Sequence, residues 1–250
     1  LLSDVLSVSS ENEIGAIHEG FWVDHWFYLL DLIEGIRMIY PDQVSTYLLD
    51  NQQYTYYDNP DIVQPRHLKT VRTNQGYRQY GAVLRDPQKL KLIATRSKDT
   101  YKVRTKNGLG QVYTTNLMEK LLCILTNRMA SLDARGVGLE MEAGKPGWCD
   151  SLNGLPGLFG SSICESLEIL RACRLLLDIL GQVSAKDRKQ VIFWELFEFM
   201  RALETALDHY PTPLDFWQES HVVLEKYRAA TREGINGKTR EISIGEISSF

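Results

Sequence analysis

Cysteine is scarce in this sequence, and the cysteines that are present form no recognisable framework. The four among 250 residues are Cys123, Cys149, Cys164 and Cys173, with no Cys-x-x-Cys pair. No cluster of histidines accompanies them, so the ligand spacing of a zinc site is missing. A dense disulfide framework is equally unexpected. We therefore expect reduced thiols, a cytoplasmic protein and no bound metal.

The sequence also has no strong excess of charge of either sign. The 32 acidic and 28 basic residues give a formal net charge of −4 and are scattered without long runs. Because nucleic acid is bound through concentrated basic surfaces, a nucleic-acid partner is not expected. The longest stretch without charge, residues 151–164, is interrupted by glycines and a proline and is too short to cross a bilayer. No signal peptide is visible, so we expect no membrane partner either.

The ends of the sequence indicate a fragment of a longer polypeptide. An initiator methionine is absent, and residues 240–250 alternate as a strand does. The remainder of the parent polypeptide would then be a partner of this chain, and a homodimer is one candidate assembly. With 44% hydrophobic and 24% charged residues, the chain fits one globular domain or most of one.

Most of the sequence follows helical spacing. Apolar residues recur every three or four positions over residues 24–40, 115–130, 185–210 and 214–231. Another helix should begin at Ser162, because Ser162 and Glu165 have the spacing of a capping box. No solenoid period recurs, so a helical array or toroid, with an α/α barrel as one example, is expected.

Residues 51–112 depart from this helical pattern. They are rich in aromatic and basic residues and carry turn signals at 58–60 and 74–76. We predict a small β-rich insertion there, within one helical domain over residues 1–250.

One loop, residues 138–162, concentrates polar side chains among many glycines and prolines. Such a loop, mounted on rigid helices, is a common way to build a binding site. A plain connection whose aspartate caps the next helix is the alternative. The candidate site residues of this loop are Glu140, Glu142, Lys145, Trp148, Asp150 and Asn153.

Asp150 and Trp148 have the chemistry for cleaving a glycosidic bond. The reaction needs a carboxylic acid that protonates the departing oxygen. The flat face of Trp148 can support a sugar ring, and its bulk can raise the pKa of Asp150 by removing water.

A second cluster, residues 18–28, combines two histidines, two acids and five Phe, Trp or Tyr rings. Trp22, Asp24 and His25 are candidate sugar ligands there. The alternative is that the aromatic residues are core anchors and Asp24 is a helix cap, and we favour the core role for Trp26.

These two clusters resemble motifs of the cellobiose phosphorylase family, glycoside hydrolase family 94. Trp148-Cys-Asp150 with Ser-Leu-Asn153 is similar to that family's Trp-Asn-Asp-Cys-Leu-Asn segment, in which the aspartate is the general acid. Residues 20–26, Gly-Phe-Trp-Val-Asp-His-Trp, are similar to its Gly-Phe-Ser-Asp-Asp-His segment, which holds the donor sugar. Cys149 replaces the family's asparagine.

The resemblance implies a mainly α fold, an (α/α)6 barrel, of which this chain would supply a part. It also implies inverting phosphorolysis of β-glucosidic bonds in an oligosaccharide, which yields a sugar 1-phosphate. Asp150 would be the acid, and Asp24 and His25 would hold the sugar. Inorganic phosphate would be a co-substrate, and no cofactor would be needed.

The residues leave the acceptor and the activity open. Arg66, Arg78 and Lys145 are candidate phosphate ligands, as are Ser161 and Ser162 at a helix N-terminus, although solvated basic residues and an ordinary cap are the alternative. In an inverting hydrolase on the same scaffold, Glu140 or Glu142 would be the base that activates water. A non-catalytic sugar-binding or scaffold domain is a third hypothesis, and the fragment alone is expected to have little activity.

Overall fold

The computed structural model describes residues 26–74, 76–79, 81–140, 161–183 and 185–250, with Asp4, Ser7 and Val8, and only the backbone of 76–79. Nine helices lie within these ranges. They are α1 (Trp26–Ile39), α2 (Val44–Leu49), α3 (Arg66–Lys69), α4 (Pro87–Ala94), α5 (Leu117–Met129), α6 (Ile163–Gln182), α7 (Trp194–His209), α8 (Pro213–Ala230) and α9 (Ile244–Ser249). None of these described helices has the length and apolar character needed to cross a bilayer.

The strands in the described ranges are short and pair two by two, each pair antiparallel. The pairs are β1 (Asp61–Val63) with β4 (Val83–Arg85), β2 (Thr70–Thr73) with β3 (Gly76–Gln79), β5 (Leu139–Glu140) with β6 (Ser161–Ser162), and β7 (Lys189–Phe193) with β8 (Thr239–Ser243). Four of these strands, β1 to β4, lie within residues 51–112, together with α3 and α4.

The described residues therefore form a mixed α and β structure, and the predicted (α/α)6 toroid or partial barrel is wrong. Helical spacing reports which face of a segment is buried, but not whether the face packs on a helix or on a strand pair. Here β7 and β8 join segments that are far apart in the sequence, and both strands contact α7. An architecture made only of helices does not account for the β7–β8 strand pair.

Two segment predictions fail for local reasons. The helix predicted over 185–210 begins only at Trp194, because β7 occupies 189–193 with the strand-favouring residues Val191, Ile192 and Phe193. The strand predicted over 240–250 ends at Ser243, where Ser243 and Glu246 form a capping box that opens α9.

Helix α5 has a central position in the core. It packs against α2, α6 and α7, and its residues Met118 and Leu121 are fully buried. Asn116 caps its N-terminus by accepting the N–H of Glu119, and the Asn116 amide also donates to Gln190 of β7. Trp26 of α1 is buried in the same core, as predicted. The core thus ties the first helix, the central helix and the β7–β8 pair together.

Candidate functional site

The described part of the chain brings one cluster of polar side chains to the end of β5. Glu140 accepts the indole N–H of Trp217 through Oε1 (2.5 Å), and its Oε2 lies 2.8 Å from Nε2 of His221. The side chains of Glu140 and His221 are each only 9% exposed. Arg66 and Glu225 adjoin this group. We call these five residues the Glu140 cluster.

The hydrogen bonds of His221 define where its protons lie. Nδ1 is 2.8 Å from the backbone oxygen of Trp217, and a carbonyl oxygen can only accept, so Nδ1 carries a proton. Nε2 faces the Glu140 carboxyl group, so this second hydrogen bond contains one proton. That proton belongs either to an imidazolium beside a carboxylate or to a carboxylic acid beside a neutral imidazole. Both states have the same net charge, so the proton can shift within the pair without changing that charge.

Arg66 lies over the Trp217 ring, with its guanidinium carbon 3.6 Å from the ring centroid. Its Nη2 donates to the backbone oxygen of Trp217 (3.3 Å), and its backbone N–H donates to Glu225 (2.6 Å). Burial lowers the pKa of Arg66, while Glu140 and Glu225 act in the opposite direction. A cation between two carboxylates is thereby fixed on an aromatic face.

Helix α8 supplies three members of the cluster from one face. Trp217, His221 and Glu225 are spaced four residues apart, so they lie one above the other along the helix. Thr212 caps this helix by accepting the N–H of Asp215. Pro65, the N-cap residue of α3, sets the extended backbone that leads into Arg66.

Glu140 itself is positioned by a turn that Asp133 organises. The Asp133 carboxylate accepts the N–H groups of Arg135, Val137 and Gly138 at 2.9 to 3.2 Å. Burial tends to raise the pKa of Asp133, but hydrogen bonds from Val137 and other donors outweigh it and lower the pKa. The Glu140 N–H then donates to Ser131 (2.8 Å).

Glu140 also pairs with Ser161 across β5 and β6. Residues 141–160, which include Asp150, are outside the described residues, and the described chain ends at Glu140 and resumes at Ser161. The Ser161 hydroxyl is hydrogen-bonded to Asp133, and the Ser162 hydroxyl accepts the N–H of Glu165 (3.3 Å) as the cap of α6. The two serines among the candidate phosphate ligands, Ser161 and Ser162, therefore each have a hydrogen-bond partner within the described residues.

The structure brings two predicted site residues, Glu140 and Arg66, into one cluster and places Ser161 beside it. Arg78 lies on β3 opposite Val71, and its side chain is outside the described part. The remaining candidates fall outside the described residues. They are Trp22, Asp24, His25, Glu142, Lys145, Trp148, Asp150 and Asn153.

Sequence reasoning missed Trp217, His221 and Glu225. Residues 214–231 were expected only as a more polar helix. The four-residue spacing of an indole, an imidazole and a carboxylate was the signal that could have found them. Their partners Glu140 and Arg66 lie about 80 or more residues away in the sequence, and no local pattern connects them.

A second buried carboxylate, Glu119 of α5, is held differently. It accepts the hydroxyls of Tyr56 (2.9 Å) and Tyr113 (2.7 Å) and the N–H of Phe193 (3.1 Å). Burial raises the pKa of Glu119 to about 6, although these hydrogen bonds oppose the rise. Burial also raises the pKa of Tyr56 and of Tyr113. We call these four residues the Glu119 cluster.

Within the described ranges, no group of three or more histidine, cysteine, aspartate or glutamate side chains could hold a metal ion. Neither a protein-family model nor a curated protein matches the chain. The resemblance to the cellobiose phosphorylase family therefore stays a prediction.

Proposed function

We propose that this chain belongs to a carbohydrate-active enzyme that cleaves β-glucosidic bonds with inversion, using inorganic phosphate as the acceptor. One observation carries the proposal. Glu140 and Ser161, the described residues on either side of the sequence stretch that contains Asp150, pair with each other, and Glu140 belongs to the Glu140 cluster. This pairing supports a site in which Asp150 acts near a carboxylate, an imidazole, an indole and a guanidinium group.

In the proposed reaction, Asp150 gives its proton to the glycosidic oxygen while the bond from that oxygen to the anomeric carbon breaks. A phosphate oxygen forms the new bond to the anomeric carbon from the opposite face, which yields a sugar 1-phosphate. Asp24, His25, Trp22 and Trp148 would hold the sugar. Arg66 is the phosphate ligand best supported by geometry, because its guanidinium is fixed on Trp217 within the Glu140 cluster.

Hydrolysis is the second candidate, and the Glu140–His221 pair is the observation that favours it. A base that activates water must accept a proton, and a carboxyl group that already shares one proton with an imidazole has a route to pass it on. In that case Glu140 would lie ~6.5 to 9.5 Å from Asp150, with room for a water molecule. The two carboxylates near Arg66, Glu140 and Glu225, also oppose the binding of phosphate there.

The test is turnover of a β-linked gluco-oligosaccharide by the full-length parent protein, with and without inorganic phosphate. Phosphate-dependent release of a sugar 1-phosphate that disappears in Asp150→Asn supports phosphorolysis. Release of free sugar without phosphate, lost in Glu140→Gln as well, supports hydrolysis. Full activity of Asp150→Asn would rule out Asp150 as the acid. We further propose that this enzyme works in the cytoplasm.

A further inference from the structure

A cavity of about 680 Å³ adjoins the Glu140 cluster. It is lined by residues 56–65 from before and within β1, by the last turns of α8, and by Phe193 of β7. Its volume lies within the range of small-molecule binding sites. The candidate site residues predicted from the sequence do not include any residue of this lining.

The aromatic part of the lining offers ring surface rather than free hydroxyl groups. The Tyr56 hydroxyl donates to Glu119, and the Tyr227 hydroxyl lies 3.3 Å from the sulfur of Cys123. Tyr227 also stacks on Phe199, with ring centroids 4.4 Å apart. These rings are fixed from behind by the core, so they form a preformed apolar wall.

The polar part of the lining has little net charge. Asp58 forms ion pairs with Lys89 (2.5 Å) and Arg96 (2.8 Å), all three side chains being buried. Arg232 pairs with Asp86 (2.5 Å). Asp61, Glu225 and Arg228 also line the cavity. When all these side chains are counted, the acidic and basic groups nearly balance in number. Such a wall favours a neutral ligand with many hydroxyl groups over a strongly charged one.

Glu225 belongs both to the cavity lining and to the Glu140 cluster. This carboxylate lines the cavity and also accepts the N–H of Arg66. Along α8, Glu225 lies about one turn beyond His221 and the lining residue Ala229 about two turns beyond it, ~6 and ~12 Å at 1.5 Å per residue. A ligand that reaches both places must be elongated.

We infer that this cavity binds the sugar units of an oligosaccharide whose scissile bond lies at the Glu140 cluster. The apolar faces of the sugar rings pack on the tyrosine rings, and the sugar hydroxyls bond to the paired acids and arginines. The inference rests on the proposed function, since it assigns the same substrate a second binding region. Its consequence is a preference for longer chains.

The test uses two tryptophan substitutions on α8. Ala229 is exposed and lines the cavity, whereas its neighbour Ala230 is exposed and outside that lining. Ala229→Trp should fill the cavity without disturbing the core, and Ala230→Trp is the matched control. Binding of β-linked gluco-oligosaccharides of two to five units is measured by calorimetry in the absence of phosphate, so that phosphorolysis does not consume the ligand. Any hydrolysis during the titration is checked by analysing the sugars afterwards.

For the unmodified protein and for Ala230→Trp, we expect the affinity to rise about tenfold from the shortest to the longest chain. A gain of this size corresponds to the free energy of an additional aromatic contact. Ala229→Trp should lose that gain and keep the affinity for the disaccharide. Equal length dependence in both variants would overturn the inference, as would displacement of the sugar by inorganic phosphate or a nucleotide at the cavity.

The outcome also separates this inference from the proposed function. Length-dependent binding that Ala229→Trp removes, with no bond cleavage by the full-length protein, would support the cavity assignment and contradict the enzyme. Cleavage that is equally fast for short and long chains, and unaffected by Ala229→Trp, would support the enzyme and contradict the cavity assignment.

Discussion

Glu119 and Glu140 are both carboxylates removed from water with both oxygens hydrogen-bonded, yet their partners differ in kind. Glu119 is held by two tyrosine hydroxyls and a backbone N–H, none of which titrates near neutral pH. Glu140 is held by an indole and by an imidazole. Glu119 lies in the fully buried core, whereas Glu140 lies where the segment of residues 141–160 begins.

Glu119 is therefore a structural carboxylate, whereas Glu140 has partners suited to chemistry. The Glu119 cluster fixes α5, β7 and the chain before β1 in place, so its removal should mainly affect folding. The Glu140–His221 pair is suited to accept a proton from water, so its removal should mainly affect activity when water is the acceptor.

The largest expected effect is on stability, in Glu119→Ala. The substitution leaves two tyrosine hydroxyls and the Phe193 N–H buried without their acceptor, so we expect the free energy of unfolding to fall by about 4 kcal/mol. Urea denaturation measures this. Glu198→Ala, an exposed glutamate on α7, is the control and should change stability by less than about 0.5 kcal/mol. Equal effects of the two substitutions would contradict a structural role for Glu119.

Asp58 is a third buried carboxylate, and its partners are cations. Asp58→Asn leaves the buried Lys89 and Arg96 without their counter-charge, and we expect a loss of about 3 kcal/mol. Asp61→Asn is the matched variant, because Asp61 pairs with the half-exposed Arg85 at 3.2 Å. That pair should contribute less than about 1 kcal/mol. Similar losses in both variants would show that burial does not set the strength of these pairs.

The pH dependence of stability should reveal Glu119 directly. Its pKa of about 6 lies above the ordinary 4.5, so the unfolded chain releases this proton first. The resulting stabilisation is fully present below pH 4.5 and is lost as pH rises through 6, a change of about 2 kcal/mol. Glu119→Gln cannot titrate there, so the difference in unfolding free energy between wild type and variant should fall by that amount. Parallel pH profiles would contradict the raised pKa.

Of the three carboxylates Glu119, Asp58 and Glu140, we expect Glu140 to contribute least to stability. In Glu140→Gln, the amide oxygen can still accept from Trp217, and the amide nitrogen can donate to a neutral His221, so we expect a loss of no more than about 1 kcal/mol. Nitrogen NMR of the imidazole should then show a neutral ring with its proton on Nδ1. An unchanged imidazole spectrum would show that Glu140 and His221 share no proton.

Local sequence patterns located several helices correctly where the apolar residues of the pattern are buried in the core. The apolar stripe of 115–130 became α5, and the spacing of Ser162 and Glu165 marked the start of α6. The pairing of β7 with β8 could not be anticipated, because Val191 and Ile192 continue directly into the helical pattern of α7. The overall fold was therefore predicted wrongly although several of its helices were located.

The candidate site shows the same limit. Glu140 was found because it stands in a loop rich in glycine and polar residues, and Arg66 because it is a basic residue in an aromatic segment. His221 and Trp217 were missed because they lie within an ordinary amphipathic helix. What unites these four residues is a set of long-range contacts that depend on how α3, β5 and α8 pack.

The most direct test of the account is the rate at which Asp150→Asn cleaves a β-linked gluco-oligosaccharide in the full-length protein. The measurement is made under the phosphate condition in which the wild type is active. We predict a rate at least ~100-fold below wild type, the usual contribution of proton transfer by a positioned side chain. A wild-type rate in this variant would contradict Asp150 as the proton donor and with it the proposed reaction.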